Sequence, residues 1–314
     1  MMACLNPISI PNPNLGKCPT RHLNTKSKYI TVPCGKCPAC LTQKRMDMVN
    51  RFKLEASASD FNYFFTLTYD EINVPTLATL YPDSDEARAF PELQVVDKCG
   101  VQLFLQRLRN SFRDCGTPAQ LRYAICSEYG PTKVRPHYHG ILFGTPPEWN
   151  AAIEIQRAWP LGYVSVGHLL DGGCGYVGKY MFKASVAPSM EANPKWSNFF
   201  LCSRKPPIGY YGLSHKLIEY INKNGTRRIK IKSGEEIQVP YVLLSKFLSE
   251  RQVQRLRAIE HIKSSDYNDT RLDKVSFTEG SLANGLRYLD TLKESEWNIK
   301  LNNINRSKLQ SKDL

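Results

Sequence analysis

Long apolar runs are missing from the chain. It contains no stretch of about 18 consecutive apolar residues, so we predict no membrane-spanning helix. The first residues, Met1 to Pro7, have neither the basic nor the apolar stretch of a secretory signal peptide. Internal repeats are absent as well, which excludes a repeat architecture. We therefore expect the protein to act in a cytoplasm, where its ten cysteines stay reduced.

Acidic side chains are in short supply. The chain has 29 Asp and Glu against 42 Lys and Arg, which gives a net charge of +13. Such a balance favours a polyanionic partner such as nucleic acid, although ribosome-like and membrane-surface proteins share it. The hydrophobic content of 42% is ordinary for a globular protein with a real core. The length of 314 residues allows one large domain or two small ones.

Helical and strand periodicities alternate over the middle of the chain. The predicted helices cover 41–57, 101–113, 147–158 and 175–184. The predicted strands cover 61–69, 121–126, 140–144 and 162–169. Residues 70–98, which carry Pro and Asp, predict a long loop. This order indicates an α+β fold in which helices flank a central, mostly antiparallel sheet.

Three domains are predicted. Residues 1–40 form an irregular, Cys-rich N-terminal arm, and residues 41–215 form the α+β domain. Residues 216–314 form a mainly helical extension that is a candidate for DNA binding. Within it we predict a polar hairpin at 229–239 and helices at 241–262 and 280–299.

Two histidines, His137 and His139, stand one residue apart directly before the apolar run 140–144. On a strand, residues i and i+2 point to the same face, so the two imidazoles converge. A turn at Gly130 is expected to bring Glu128 of the preceding strand beside them. Two imidazoles and one carboxylate predict a Mg²⁺ or Mn²⁺ site with positions left open for phosphate oxygens. The alternatives are partly buried, hydrogen-bonded histidines, or an iron or zinc site.

Two tyrosines, Tyr176 and Tyr180, are spaced four residues apart on a predicted helix and therefore share one face. A lysine follows each tyrosine by three residues, namely Lys179 and Lys183. A nearby ammonium group favours the tyrosinate or stabilises charge on a phosphate under attack. The pattern predicts tyrosine nucleophiles, and the alternative is the core stripe of an ordinary helix.

The N-terminal arm contains a dense cysteine cluster with Cys34, Cys37 and Cys40. Tetrahedral Zn²⁺ is the expected occupant in a reducing cell, with Cys18 as the fourth ligand. His22 and Cys4 are alternative fourth ligands. An iron–sulfur cluster or three thiols without a ligand remain the alternatives.

Basic residues that are candidates for DNA contact occur in three separate segments. They are Arg107, Arg109, Arg204, Lys205, Arg227 and Arg228. Aromatic residues surround Arg204 and Lys205, and such interleaving is typical of single-strand binding. The plainer interpretation of each segment is a solvated charged face.

Three motifs together resemble those of the HUH endonucleases that initiate rolling-circle replication. They are Phe65-Thr-Leu-Thr-Tyr69, Glu128 with His137-Tyr-His139, and Tyr176-Val-Gly-Lys-Tyr180. The paired tyrosines resemble the two-tyrosine branch of small single-stranded DNA phages. The cysteine run at 34–40 and the segment 202–209 are similar to initiators of the gokushovirus group of microviruses.

The resemblance implies an enzyme that nicks the origin of double-stranded replicative-form DNA. It implies a 5′-phosphotyrosine intermediate, a host helicase and DNA polymerase that displace the strand, and a final rejoining step. The expected location is the cytoplasm of the bacterial host. The alternatives are a relaxase or transposase of the same chemistry, and a non-enzymatic basic nucleic-acid-binding protein.

Overall fold

The structure is a computed structural model that describes residues 4, 6–17, 26–116, 120–130, 134–170, 172–180 and 196–260. Contacts divide the described chain into two compact units. The first unit contains residues 41–219 and 228–247, and the second contains the described residues of 4–40, 220–227 and 248–260. The predicted domain limits at residues 40 and 215 stay predictions.

The elements follow one another in an alternating order. They are β1 (Ile8–Pro11), β2 (Tyr29–Val32), α1 (Pro38–Ala56), β3 (Tyr63–Thr68), α2 (Leu77–Leu80), α3 (Asp85–Ala89), α4 (Lys98–Asp114), β4 (Arg122–Tyr129), β5 (Pro136–Phe143), α5 (Ala151–Ala158), β6 (Val164–His168), α6 (Gly173–Tyr180), β7 (Phe200–Cys202), α7 (His215–Asn224), β8 (Arg228–Lys230), β9 (Glu236–Gln238), α8 (Tyr241–Leu244) and α9 (250–260).

A five-stranded sheet forms the centre of the first unit. Its strand order is β6-β3-β5-β4-β7, and every neighbouring pair is antiparallel. The predicted α+β class with a helix-flanked antiparallel sheet is therefore confirmed. Each long strand alternates between the two faces because its side-chain period is two. The sheet consequently has two apolar faces, each covered by different helices.

One face, here called the α4 face, packs against α4 and α5. Phe65, Ile125 and Tyr138 of the sheet join Phe104 of α4 and Trp159 in one buried cluster. Helix α4 forms because its apolar residues recur at three- and four-residue spacing and bury one stripe against the sheet. Its first turn is capped by a carboxylate that accepts a hydrogen bond from a backbone N–H.

The opposite face, here called the α1 face, packs against α1 and α6. Ala124 and Ile141 of the sheet join Val49 and Phe52 of α1 and Val177 of α6 in a smaller buried cluster. This face carries the sequence motifs with the two histidines and the two tyrosines, so the packing of α1 and α6 positions the candidate site.

A buried ion pair joins α1 to the sheet. Arg122 Nε of β4 lies 2.6 Å from Glu55 Oε1, and Glu55 Oε2 accepts a hydrogen bond from Gly209 N at 2.6 Å. Gly212 makes the closest backbone approach, since a Cβ there would lie 1.9 Å from Leu54 O. The segment 206–213 is thus held against α1 by polar contacts and by a position that tolerates glycine alone.

One segment in each unit corrects the predictions. The N-terminal arm was expected to be irregular, but β1 and β2 pair as antiparallel strands. The predicted loop 70–98 contains α2 and α3, and Thr76 and Thr79 form a reciprocal capping box at the start of α2. Short strands and single helical turns have too few residues for a measurable period, which explains both errors.

The predicted helix at 241–262 is interrupted. Helix α8 ends at Leu244, and α9 begins after Ser249. Ser249 Oγ accepts a hydrogen bond from Gln252 N, and Gln252 Oε1 accepts one from Ser249 N at 2.8 Å, so α9 starts with a capping box. The predicted helix at 280–299 lies outside the described residues. None of the helices in the described ranges is long and apolar enough to cross a membrane.

Candidate active site and cysteine cluster

The pairing of β4 with β5 sets the positions of the candidate metal ligands. Glu128 is the register partner of His137, and Cys126 is the partner of His139. All four side chains point to the α1 face because they occupy alternate positions on their strands. Beyond His139, the same face of β5 continues with Ile141, which is buried in the core. The ligands therefore lie at the end of the sheet where the apolar cluster stops.

His139 is fixed at both ring nitrogens. Its Nε2 lies 3.2 Å from Glu128 Oε2, and its Nδ1 lies 3.1 Å from Thr66 Oγ1 of β3. His139 and Glu128 are only 8% and 6% exposed. A carboxylate on one nitrogen and a hydroxyl on the other hold the ring in a single orientation.

His137 has a buried nitrogen without a partner. Its Nδ1 is inaccessible to solvent and makes no hydrogen bond to the described residues. A Cβ at Gly130 would lie 3.1 Å from His137 Nε2, so glycine lets the turn pass close to the ring. Burial, and then the neighbouring His139, lower the pKa of His137. This favours the neutral imidazole, which is the form that coordinates metals.

These residues supply the donors that a divalent ion needs. Glu128 and His139 are in contact, and His137 adds an imidazole with an unsatisfied nitrogen. Within the described part of the chain, one group brings three or more ligand atoms within 4.8 Å of one another, and it consists of cysteines instead. The histidine and carboxylate set is thus chemically suited to an ion but is less closely gathered than that group.

Tyr176 places its ring against the candidate metal ligands. The ring lies edge-on to His139 at a centroid distance of 5.8 Å and edge-on to Phe64 at 5.4 Å. The next residue, Val177, is fully buried in the core, so it anchors α6 while Tyr176 faces the histidine. A Cβ at Gly178 would lie 2.5 Å from Val49 Cγ2, which explains glycine at this point of the motif.

The remaining residues of the tyrosine motif are described in part. Lys179 is half-buried on α6, three residues after Tyr176. Tyr180 is the last residue of α6 and lies about one turn beyond Tyr176. Lys183 lies outside the described residues. The structure therefore brings Tyr176 together with His139 and Glu128, and it leaves the environment of the second Tyr-Lys pair undescribed.

Three positions that sequence reasoning missed support this site. Thr66 orients His139, and Phe64 supports Tyr176. Tyr138, between the histidines, points to the α4 face, where its Oη lies 3.0 Å from Tyr69 Oη. Strand alternation in the segment before Tyr69 is the signal that would have put Phe64 and Thr66 on the histidine face.

The N-terminal cysteines form a compact group. The Sγ atoms of Cys4, Cys34, Cys37 and Cys40 all lie within 4.8 Å of one another. Cys4 Sγ is 3.8 Å from Cys37 Sγ and accepts a hydrogen bond from Cys34 N at 3.2 Å. The sequence had favoured Cys18 as the fourth member, with Cys4 and His22 as alternatives. Cys18 and His22 lie outside the described residues, and Cys4 occupies the fourth position.

Backbone groups and burial act in opposite directions on these thiols. The N–H groups of Lys36 and Cys37 donate to Cys34 and lower its pKa. Burial raises the pKa of Cys40 to about 12. A thiol stabilised as thiolate beside a desolvated one is an arrangement that a bound cation would satisfy, because a cation stabilises every thiolate around it.

The six candidate DNA contacts do not form one surface. Arg109, Arg204 and Lys205 line a common groove beside α4. By contrast, Arg107 donates to Ala158 O at the end of α5. The others are held by carboxylates: Arg227 is 4% exposed and binds Glu260 through two 2.9 Å contacts, and Arg228 contacts Glu236 at 3.3 Å.

Comparison with known proteins agrees with this geometry. The family of replication-associated proteins of the ORF2 type matches residues 62–185, which contain every candidate nuclease residue. Replication-associated protein ORF4 of Chlamydia phage 1 is 26% identical over 49% of this chain and 39% of its own length. Replication-associated protein ORF2 of Spiroplasma virus 4 is 26% identical over 58% of this chain and 61% of its own length.

A third relative is Replication-associated protein VP4 of Bdellovibrio phage phiMH2K, with 25% identity over 56% of each chain. The chain thus spans between about two fifths and three fifths of the length of these relatives. No solved structure gives a significant match. These findings confirm the resemblance that the motifs predicted: the chain is a relative of the replication-associated proteins of small single-stranded DNA phages.

Proposed function

We propose that the protein is a metal-dependent DNA endonuclease and strand transferase that initiates rolling-circle replication at a phage origin. The observation that carries the proposal is the contact between the Tyr176 ring and the His139 ring, 5.8 Å apart. It places a candidate nucleophile beside the candidate ligands, as tyrosine attack on a polarised phosphate requires.

In this mechanism, Tyr176 Oη attacks a backbone phosphorus and the bond from phosphorus to the 3′ oxygen breaks. The phenol proton is lost to solvent, the departing 3′ oxygen takes up a proton, and the 5′ phosphate stays on the tyrosine. Lys179 follows Tyr176 by three residues on α6 and supplies positive charge. Glu128, His137 and His139 would hold Mg²⁺ or Mn²⁺, which supplies Lewis-acid stabilisation of the phosphate charge.

Tyr180 is the second nucleophile in this proposal. It lies about one helical turn from Tyr176, so a second attack can follow while the first tyrosine is still esterified. The 3′ hydroxyl formed in that attack can then displace the first tyrosine and close the circle. We place this cycle in the cytoplasm of the bacterial host, with phage DNA as substrate and a host helicase and polymerase as partners.

The proposal is tested by covalent adduct formation with single-stranded origin DNA. The Tyr176→Phe and Tyr180→Phe variants and the double variant are compared with Tyr163→Phe, an exposed tyrosine on the same unit. We expect the double variant to bind DNA but form no adduct, and Tyr163→Phe to behave as wild type. An adduct in the double variant would show that another residue is the nucleophile. DNA binding without any adduct in the wild type would favour a non-enzymatic binding protein.

We also propose that Cys4, Cys34, Cys37 and Cys40 bind one Zn²⁺ ion. The support is the mutual approach of the four sulfur atoms within 4.8 Å, since four thiolates at tetrahedral spacing form a closed structural site. A bound ion would tie Cys4 to the turn that precedes α1 and so would stabilise the second unit.

Elemental analysis of the purified protein tests the zinc proposal. We expect one zinc per chain in the wild type and in Cys99→Ser, where an exposed cysteine is replaced. The Cys4→Ser variant should lose most of its zinc, while Cys18→Ser should keep it. Zinc retained in Cys4→Ser but lost in Cys18→Ser would reverse the assignment of the fourth ligand, and iron in place of zinc would identify a different centre.

A further inference from the structure

A large groove lies on the α4 face of the first unit, away from the candidate active site. It runs between α4 and the segment 201–205 that contains the end of β7, and its volume is about 1050 Å³. Its floor includes Tyr123 of β4 and Leu201 of β7, both of which pack against the α4-face cluster. Glu128, His139 and Tyr176 belong to the α1 face, so the sheet separates them from the groove.

Positive charge dominates the groove. The cations that line it are Lys98, Arg109, Arg113, Arg122, Arg204 and Lys205. Arg122 is neutralised by Glu55, but the other five are exposed. No Asp or Glu lines the groove within the described ranges. A concave surface with cations of one sign raises the local potential and attracts a polyanion.

The groove also contains surfaces that recognise bases. The Tyr123 ring is half-buried on the floor, and the Arg109 guanidinium lies 5.7 Å from its centroid. The side-chain amides of Gln102, Gln106 and Asn110 line the wall formed by α4. Aromatic and guanidinium planes stack with unpaired bases, whereas a duplex hides its bases and is contacted mainly through phosphates.

We propose that this groove is a second DNA site that binds a single strand while the α1 face carries out cleavage. The choice of DNA as occupant rests on the proposed function. The charge of the groove would hold the phosphates, and Tyr123 and Arg109 would stack with bases. A strand bound there stays on the enzyme without occupying the surface beside Tyr176.

The test measures binding of the full-length protein to a mixed-sequence single-stranded oligonucleotide by fluorescence anisotropy. It uses a Tyr176→Phe background so that no covalent attachment through that residue contributes. The groove variant combines Arg109→Ala, Arg204→Ala and Lys205→Ala. A matched control removes three exposed cations outside the groove through Arg88→Ala, Arg157→Ala and Lys246→Ala. The same variants are measured with a duplex of the same sequence.

We expect the groove variant to bind the single strand at least about tenfold more weakly, with the control near wild type. The slope of log K against log salt should fall by about 2, since each lost phosphate contact on a single strand contributes about 0.7. Photocrosslinking with thiothymidine provides a readout without mutation, and the label should appear on peptides from α4 or from 201–205.

Three outcomes overturn the inference: equal weakening in the control, no weakening in either variant, or a larger loss for the duplex than for the single strand. The first indicates charge without a site, and the last identifies a duplex as the occupant. Failure of the proposed function looks different, because the groove variant would still lose single-strand binding while no protein–DNA adduct formed with wild type. A wild-type adduct with unchanged binding in the groove variant would remove this inference alone.

Discussion

The two faces of the central sheet carry neighbouring residues of β5 in opposite environments. On the α4 face, Tyr138 is fully buried and its hydroxyl contacts Tyr69 Oη and accepts a hydrogen bond from Asp97 N. On the α1 face, His137 keeps a buried nitrogen without a partner. One face is satisfied by the protein itself, and the other retains binding capacity. The comparison suggests that the α4 core supports the strand and leaves the α1 face available for chemistry.

The largest expected effect is on stability, from truncation on the α4 face. The Tyr138→Ala variant should lose about 3–5 kcal/mol of unfolding free energy, because a large buried ring leaves a cavity and its hydroxyl partners lose their contacts. Chemical denaturation measures this loss. A loss below about 1 kcal/mol would show that the α4 face does not support the strand as described.

Removing a candidate ligand on the α1 face should affect activity instead. We expect His139→Ala to lower adduct formation at least about 100-fold, since loss of a ligand should cost no less than loss of the groups that orient one. Its unfolding free energy should change less than that of Tyr138→Ala. A stability loss equal to that of Tyr138→Ala, with adduct formation per folded molecule retained, would assign His139 to the core.

Close packing of α6 gives a third, smaller effect. Gly178→Ala places a methyl group where Val49 Cγ2 is only 2.5 Å away, so overpacking should cost about 1–3 kcal/mol and displace Tyr176. The variant Val49→Ala should partly restore adduct formation in the Gly178→Ala background. If Gly178→Ala alone behaves as wild type in denaturation and adduct assays, α6 does not approach α1 as closely as described.

The smallest effect is expected for the hydroxyl that orients His139. Thr66→Val keeps the shape of the side chain but removes the contact to His139 Nδ1, and we expect a loss of about tenfold in adduct formation. Thr68→Val on the same strand is the matched control. Adduct formation at the wild-type rate in Thr66→Val would mean that Glu128 alone suffices to orient the ring.

Local patterns predicted the elements that are long and periodic. The helix α4 and the strand that carries His137 and His139 follow from apolar spacing alone, and the alternation of β5 put both histidines on one face. Shorter devices were not predicted. The serine and glutamine that cap α9 obey a readable rule, but the apolar pattern on both sides of them continues without a break.

Contacts between distant segments set the limit for the site. Nothing in the spacing of the cysteines distinguishes Cys4 from Cys18, since the choice depends on how the N-terminal segment returns to residues 34–40. The basic residues show the same limit. Arg109 and Arg204 come together only through the pairing of β4 with β7, while a distant carboxylate, Glu260, withdraws Arg227 from the surface.

The most direct test of the central claim is to locate the attached nucleotide on the wild-type protein. Single-stranded origin DNA is incubated with the protein in Mn²⁺ or in EDTA, and the peptides are then analysed by mass spectrometry. We predict a nucleotide on Tyr176 or Tyr180 that forms in Mn²⁺ and not in EDTA. A nucleotide on any other residue, or an adduct that forms equally in EDTA, would contradict the account.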